Sequence, residues 1–253
     1  NTMVGYQAGL SVTGDYSTML GYQAGANFTG NQMTVVGYQA GYNVSGGFAA
    51  DLYGYQAGYN NTGLRMVGLG QGSAFNNSGD NNVALGRFAG ANMAGDTNVI
   101  SGDQAGRYLT GTDNVVVGAD AMFGGTAAVY TANNNVVAGF GAGRTATTGA
   151  DNNVLIGYQA ADNITTGNNN IVIGYDIDLP DPAQSQTLTI GNLIYGTGLD
   201  GTGSTVSTGN IGIGTSTPTA QLHTTGSVRF STFGAGTLTT DASGNVSASS
   251  DER

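Results

Sequence analysis

The sequence predicts an all-β chain: a parallel β-solenoid of ~16-residue coils, homotrimeric, with a β-rich C-terminal neck. Three observations predict it. Gly-Tyr-Gln-Ala-Gly recurs at Gly5, Gly21, Gly37 and Gly54, with relatives at Gly102 and Gly157. A fixed short period means one supersecondary unit stacked on itself, since no single unit can bury its own apolar face. Glycine makes up 45 of 253 residues, which rules out long helices, because each helical glycine costs about 1 kcal/mol. Finally, apolar residues precede each repeat glycine in short runs of strand length.

Anchored on that glycine, the coils begin at Gly5, Gly21, Gly37, Gly54, Gly68, Gly86, Gly102, Gly118, Gly139, Gly157, Gly174 and Gly191, with a degenerate thirteenth at Gly214. The residue before the anchor (Val4, Leu20, Val36, Val117, Ile156, Ile173) and the residue three before it (Val83, Val99, Val115, Val136, Val154, Ile171) share one strand face. We read these two as the core row. The position between them is apolar too: Met3, Met19, Val35, Leu52, Met66, Ala84, Ile100, Val116, Val137, Leu155 and Val172. A strand apolar on both faces is buried on both. This middle row is therefore expected to pack against sister copies around a symmetry axis, making it the trimer interface.

Between the apolar runs lie turn signals such as Asn27–Gly30, Asn60–Gly63, Asn76–Gly79 and Asn163–Gly167. Asn and Gly tolerate left-handed backbone. Each coil is thus expected to hold two short strands and two tight turns. A dozen coils stacked about 4.8 Å apart make a rod of roughly 55–60 Å. Asn82, Asn98, Asn114, Asn135, Asn153, Asn170 and Asn210 form a row suited to an amide ladder. Tyr6, Tyr22, Tyr38, Tyr55 and Tyr158, each beside a Gln, read as packing between coils rather than as a sugar-stacking strip.

Spacing slips at Gly118 to Gly139, 21 residues apart. The surplus falls within Ala121–Asn133, so Met122, Phe123 and Tyr130 are the candidate receptor loop. Leu179-Pro180-Asp181-Pro182 is expected to end the regular stack. The domains read as a repeat roll over 1–178, a Pro then Gly/Ser/Thr-rich transition with one further strand over 179–209, and a β-rich neck over 210–249. The last of these ends in a hairpin around Ser-Gly-Asn.

Composition excludes several classes. Charged residues are 9% of the chain, and the net charge is −10. That disfavours nucleic acid and anionic membranes, which need basic footprints. No apolar run approaches the ~18 residues of a membrane span, so no membrane insertion is expected. With no Cys and one histidine, His223, neither a metal site nor a cofactor is expected. The aspartates mostly sit beside Gly or Asn in turns, and there is no Trp, so a glycosidase is disfavoured. A Thr-ruled ice-binding face fails after Thr2, Thr18 and Thr34, where Asp51 and Arg65 end the row. The chain opens inside a repeat and reads as a fragment.

The Asn-x-Val-x-x-Gly repeats, up to about Tyr175, resemble the head repeats of trimeric autotransporter adhesins. That resemblance implies a left-handed roll and a homotrimer. Further on come Ile211-Gly-Ile-Gly-Thr-x-x-Pro218, then Leu222-His223-x-x-Gly226-x-Val228-x-Phe230, then Ser250-Asp251-Glu252-Arg253. This order resembles the run-in to the self-cleaving intramolecular chaperone of phage tail spikes and tail fibres, which opens with Ser-Asp-x-Arg-x-Lys. The resemblance makes Ser250 a candidate self-cleavage nucleophile, and residues 250–253 the start of a truncated or removed domain. The partner lysine lies outside the chain, so the dyad is incomplete and no enzyme is expected.

The function expected is a structural, adhesive trimeric fibre. A phage tail fibre or other virion appendage comes first, a bacterial surface adhesin second and a glycan-degrading tail spike third. The expected partners are the chain itself, a cell-surface glycan or protein receptor, and a virion or filament base. Its place would be extracellular, on a virion surface or a cell-surface appendage.

Overall fold

The computed structural model describes residues 1–124 and 129–228, and as backbone alone Thr237–Thr240, Val246–Ser249 and residues 47 and 48. The roll is built from β1 (Thr2–Val4), β2 (Thr18–Leu20), β3 (Thr29–Val36), β4 (Ser45–Tyr53), β5 (Val67–Leu69), β6 (Val83–Leu85), β7 (Val99–Ser101), β8 (Val115–Val117), β9 (Val136–Ala138), β10 (Val154–Ile156), β11 (Ile171–Ile173) and β12 (Leu188–Ile190). Neighbours in this series pair in sequence order and in parallel, one coil apart, as in Val83 with Val99 and Val99 with Val115. No helix occurs among the described residues. The fold is a parallel β-solenoid, as the repeat predicts.

The faces are inverted relative to the sequence expectation. Met19, Val35, Leu52, Met66, Ile100, Val116, Val137 and Val172 are fully buried inside their own chain, and Leu155 nearly so. They line the core and are not an interface between copies. Of that row Met3 is exposed, on the first coil. The flanking rows, expected as core, point outward: Val99, Val115, Val117, Val136 and Ile156 are each 40–45% exposed. The cause is strand parity. Asn82 and Ala84 are two residues apart and both buried, which turns Val83 and Leu85 outward.

The interior is narrow and takes few side chains per coil. The strand supplies one. The Gly-Tyr-Gln-Ala-Gly turn supplies a buried alanine (Ala24, Ala40, Ala57, Ala105), and the far side supplies a larger residue such as Phe28, Val44, Met93, Leu109 or Ile164. Each coil carries one strand rather than two. The rest is turn, with alternate residues in left-handed backbone, as at Gln23 (φ 50), Gly25 (φ 62) and Asn27 (φ 56). These turns still bond from coil to coil. Gln23 N–H donates to the Tyr6 carbonyl (2.9 Å), Gly25 N–H to Ala40 (2.9 Å) and Asn27 N–H to Leu10 (2.7 Å). Donors alternate between the preceding and the following coil, so backbone polar groups are satisfied around the circumference.

Register corrects one anchor. Leu52 pairs with Gly68, so Gly68 occupies the inward core position and Gly70 is the true anchor of that coil. Met66 then falls at the place the asparagines hold in later coils. The 17-residue step from Gly37 to Gly54 is absorbed by a register shift between Thr29 and Asn31. The 21-residue step is absorbed in the loop, because Val115 still pairs with Val136.

The asparagine row forms a buried ladder. Asn98 N–H donates to Asn82 Oδ1 (2.8 Å), Asn114 N–H to Asn98 Oδ1 (3.0 Å) and Asn135 N–H to Asn114 Oδ1 (2.9 Å). The amide nitrogens pin the opposite corner: Asn82 Nδ2 donates to the Gly95 carbonyl (2.9 Å) and Asn98 Nδ2 to Gly111 (2.9 Å). The ladder ends at Thr187, whose N–H and hydroxyl both donate to Asn170 Oδ1. Asn210 is not in it and donates to the Pro218 carbonyl instead (3.1 Å).

The prolines do not end the stack. Leu179 is buried, and Thr165 N–H donates to the Pro182 carbonyl (2.8 Å), so this segment serves as one side of a further coil. A proline costs the ladder only its missing N–H. Parallel stacking runs through β12 and is then closed by antiparallel β13 (Ile194–Gly196). Beyond it β14 (Ile211–Ile213) pairs antiparallel with β13, and β15 (Leu222–Thr224) pairs parallel with β14. Gly214 therefore follows β14 and does not anchor a thirteenth coil of the parallel stack. β16 (Thr237–Thr240) and β17 (Val246–Ser249) pair antiparallel, and the expected Ser-Gly-Asn turn between them lies outside the described residues.

Candidate functional site

The long step between Gly118 and Gly139 does not display its aromatics as expected. Met122 is 1% and Tyr130 4% exposed, and both belong to the core. The Tyr130 hydroxyl donates to the Met122 carbonyl, and burial pushes its pKa well above the usual phenol range. Phe123 packs edge-on against Tyr108, with centroids 6.4 Å apart. Met122 and Tyr130 therefore plug the coil rather than face outward, while Phe123 stays half-buried. Residues 125–128, within the same step, lie outside the described residues, as does Ser250 with the rest of 250–253.

The outward surface is ruled by side-chain columns instead. Tyr6, Tyr22, Tyr38 and Tyr55 stack with centroids 5.3, 5.1 and 5.1 Å apart. Beside them Gln7, Gln23, Gln39 and Gln56 bond amide to amide at 2.8, 2.8 and 2.9 Å. Four residues along the same turn, Tyr42, Tyr59 and Phe75 form a second stack. It is accompanied by an amide ladder through Asn43, Asn60, Asn76 and Asn92. Sequence reading missed this second pair of columns. Its signal was available in Tyr42-Asn43, Tyr59-Asn60 and Phe75-Asn76, which share a phase. A third stack, Phe140–Tyr158–Tyr175, lies near the C-terminal end of the roll.

The first aromatic column is interrupted by charge. Arg87 pairs with Asp103 (2.7 Å), and the Arg87 and Arg107 guanidinia lie 5.5 and 5.4 Å from the Phe88 ring centroid. This cation–π cluster is another feature that the sequence alone did not reveal, because its members come from two coils.

The carboxylates of Asp162 and Asp178 meet at the other end of the roll. Burial, the hydrogen bond to Asp178 and repulsion from Asp178 and Asp176 raise the Asp162 pKa, with Arg144 opposing. A carboxyl group whose pKa is raised on folding adds stability below its unfolded pKa. That contribution is lost as pH rises through the folded value. We therefore expect Asp178→Asn to raise the melting temperature at neutral pH by a few degrees at most, and to leave it nearly unchanged in acid. Calorimetry at both pH values checks this.

His223 Nδ1 accepts from the Thr219 N–H (3.3 Å). Among the described residues, no three His, Cys, Asp or Glu side chains converge as a metal site, and no helix is long and apolar enough to cross a membrane.

The largest unpartnered feature is the outward strand face itself. From β5 to β12 it carries two parallel, largely aliphatic columns: Val67, Val83, Val99, Val115, Val136, Val154, Ile171 and Leu188 in one, and Leu69, Leu85, Ser101, Val117, Ala138, Ile156, Ile173 and Ile190 in the other. In the first coils, Thr2, Thr18, Thr34 and Asp51 replace the first column. Comparison with known proteins leaves the architecture to speak for itself: no family model matches the chain, and no curated protein or solved structure matches it.

Proposed function

We propose that this chain is part of a homotrimeric adhesive fibre, with the outward faces of β5 to β12 packed together along a common axis. The observation that carries the reading is the pair of aliphatic columns on a parallel sheet. Parallel sheets are covered on both faces in stable proteins. A large apolar strip left uncovered on a monomer is unusual and marks an interaction site, and here only Ser101 breaks it. Identical columns at a constant rise suit identical partners in register, and cyclic symmetry closes them. The interface of the proposed trimer is thus the outward rows, not the buried middle row.

A virion appendage such as a tail fibre is the favoured setting, supported by the Ser250-Asp251-Glu252-Arg253 terminus and its resemblance to a chaperone border. The fibre would attach to a cell-surface glycan or protein receptor and be extracellular. A bacterial surface adhesin shares the roll and lacks the need for that terminus. A glycan-degrading spike would release reducing ends from bacterial surface polysaccharide, and the fibre reading expects none.

Light scattering coupled to size exclusion tests the assembly. The wild-type chain is expected at three times its 25.3 kDa mass. Val115→Asp with Val117→Asp is expected to give single folded chains, because exposed positions tolerate charge with little effect on the isolated fold. A wild-type chain that runs as a stable monomer would sink the proposal.

A further inference from the structure

We propose that the first four coils bind a linear, neutral β-linked polysaccharide lying along the Tyr6–Tyr55 and Gln7–Gln56 columns. The proposal rests on the adhesive-fibre reading and names the ligand class and the site.

The rung spacing is the first argument. The rings repeat at 5.1–5.3 Å over four coils. That is close to the length of one pyranose ring, the advance per sugar in an extended β-1,4-linked chain. A polymer in that conformation meets the same chemistry at every sugar.

The chemistry of the surface is the second. Stacked rings cover one another's faces, so a ligand alongside meets their edges and hydroxyls rather than a platform. The four tyrosines are 41–65% exposed. A tyrosine with a buried body and a wet tip suits hydroxyl recognition. Gln23, Gln39 and Gln56 each spend one N–H on the preceding Gln, Gln7 only accepts, and every amide keeps donor and acceptor capacity for a ligand. A row of phenol hydroxyls beside a row of half-used amides is a hydrogen-bonding track for sugar hydroxyls.

Charge and extent are the third. The chain carries a net charge of −10, Arg87 and Arg107 stand beyond this stretch, and Arg65, on the turn before β5 in the fourth coil, donates to Asn81 Oδ1 (2.7 Å). An acidic polymer is disfavoured on such a surface. The track is also confined to one end. In the stack Phe140–Tyr158–Tyr175 the neighbouring Gln159 donates to Asp162 and does not continue an amide ladder. The second pair of columns, Tyr42–Phe75 with Asn43–Asn92, repeats the same aromatic-and-amide pattern four residues further along the turn.

The test is depletion of the purified full chain by amorphous cellulose and by chitin, with cross-linked dextran as the mismatched polymer. Binding to cellulose or chitin, but not dextran, is expected, and the stronger of the two identifies the sugar. Soluble cellohexaose should compete at least tenfold better than cellobiose, since a track of four rungs needs length. Tyr22→Phe with Tyr38→Phe keeps the ring stack and removes two hydroxyls. It should weaken binding at least tenfold while the melting temperature and oligomeric mass stay unchanged. No depletion by either β-linked polymer, equal competition by cellobiose, or wild-type binding by the double Phe variant would each overturn the proposal. The mass of the same sample reads the fibre assembly separately: a trimer that ignores these polymers loses the ligand and keeps the fibre.

Discussion

Gly102→Val is expected to break the roll at its middle. Gly102 has φ +142, a region that side chains rarely enter, and a Cβ there would sit 2.4 Å from the Gly118 carbonyl oxygen of the next coil. That neighbour is backbone and is itself held by the Gly118 N–H to Ser101 carbonyl bond (2.7 Å). It cannot move without opening the ladder. Strain of about 1–3 kcal/mol from the backbone and a similar amount from overpacking give a loss on the order of 3–5 kcal/mol. The same contact recurs down the column, at Gly86 against Gly102 and at Gly118 against Gly139. Urea denaturation followed by circular dichroism should show a large drop in midpoint, or no folded protein. Ser101→Val, one residue earlier, is the control. It faces outward between Leu85 and Val117 and should be tolerated. A Gly102→Val chain as stable as wild type would mean the coils do not approach at this corner.

Asn114→Ala is expected to have the second large effect. Its Oδ1 accepts from the Asn135 N–H (2.9 Å) and from Asn135 Nδ2 (3.0 Å), and its Nδ2 donates to Asn98 Oδ1 (2.9 Å) and to the Ala132 carbonyl (2.8 Å). Truncation leaves the Asn135 N–H and the Ala132 carbonyl buried without those partners. At about 1–3 kcal/mol for each orphaned group, the loss is about 3–5 kcal/mol. Asn114→Asp separates charge from shape. It keeps the acceptor but buries a carboxyl group, whose pKa burial raises. Its stability should therefore be greatest in acid and fall as pH rises through the folded pKa. Melting temperatures at pH 4 and pH 7 check the sign, and a pH-independent result would mean water reaches the ladder.

The repeat, the parallel stacking and the asparagine ladder were all legible in the sequence, because each leaves a residue of one type at a constant spacing. The direction each row faces was misread. Apolar residues at three consecutive positions say that a strand is covered on both sides, but not which side is the chain's own. The clue lay in Asn82 and Ala84, or Asn114 and Val116, which share parity: a polar residue that must be satisfied and a small or branched one that must fit. Gly68 reads as an anchor in sequence because Val67 precedes it as Val36 precedes Gly37. Only pairing with Leu52 reveals that glycine can also stand where the core has no room. The fate of Met122 and Tyr130 was not readable at all. A surplus of residues marks an insertion, yet whether its aromatics point in or out depends on vacancies left by neighbouring coils, and those are three-dimensional facts.

The 21-residue step has one last consequence. Val115 meets Val136 as squarely as Val99 meets Val115, although five more residues separate the first pair. The length of the shaft is therefore counted in rungs and not in amino acids. Extra residues within a rung leave its pairing unchanged, while duplicating a whole rung lengthens the object. A peptide inserted within this step should therefore leave Val115 paired with Val136 and the pitch of the roll as it was.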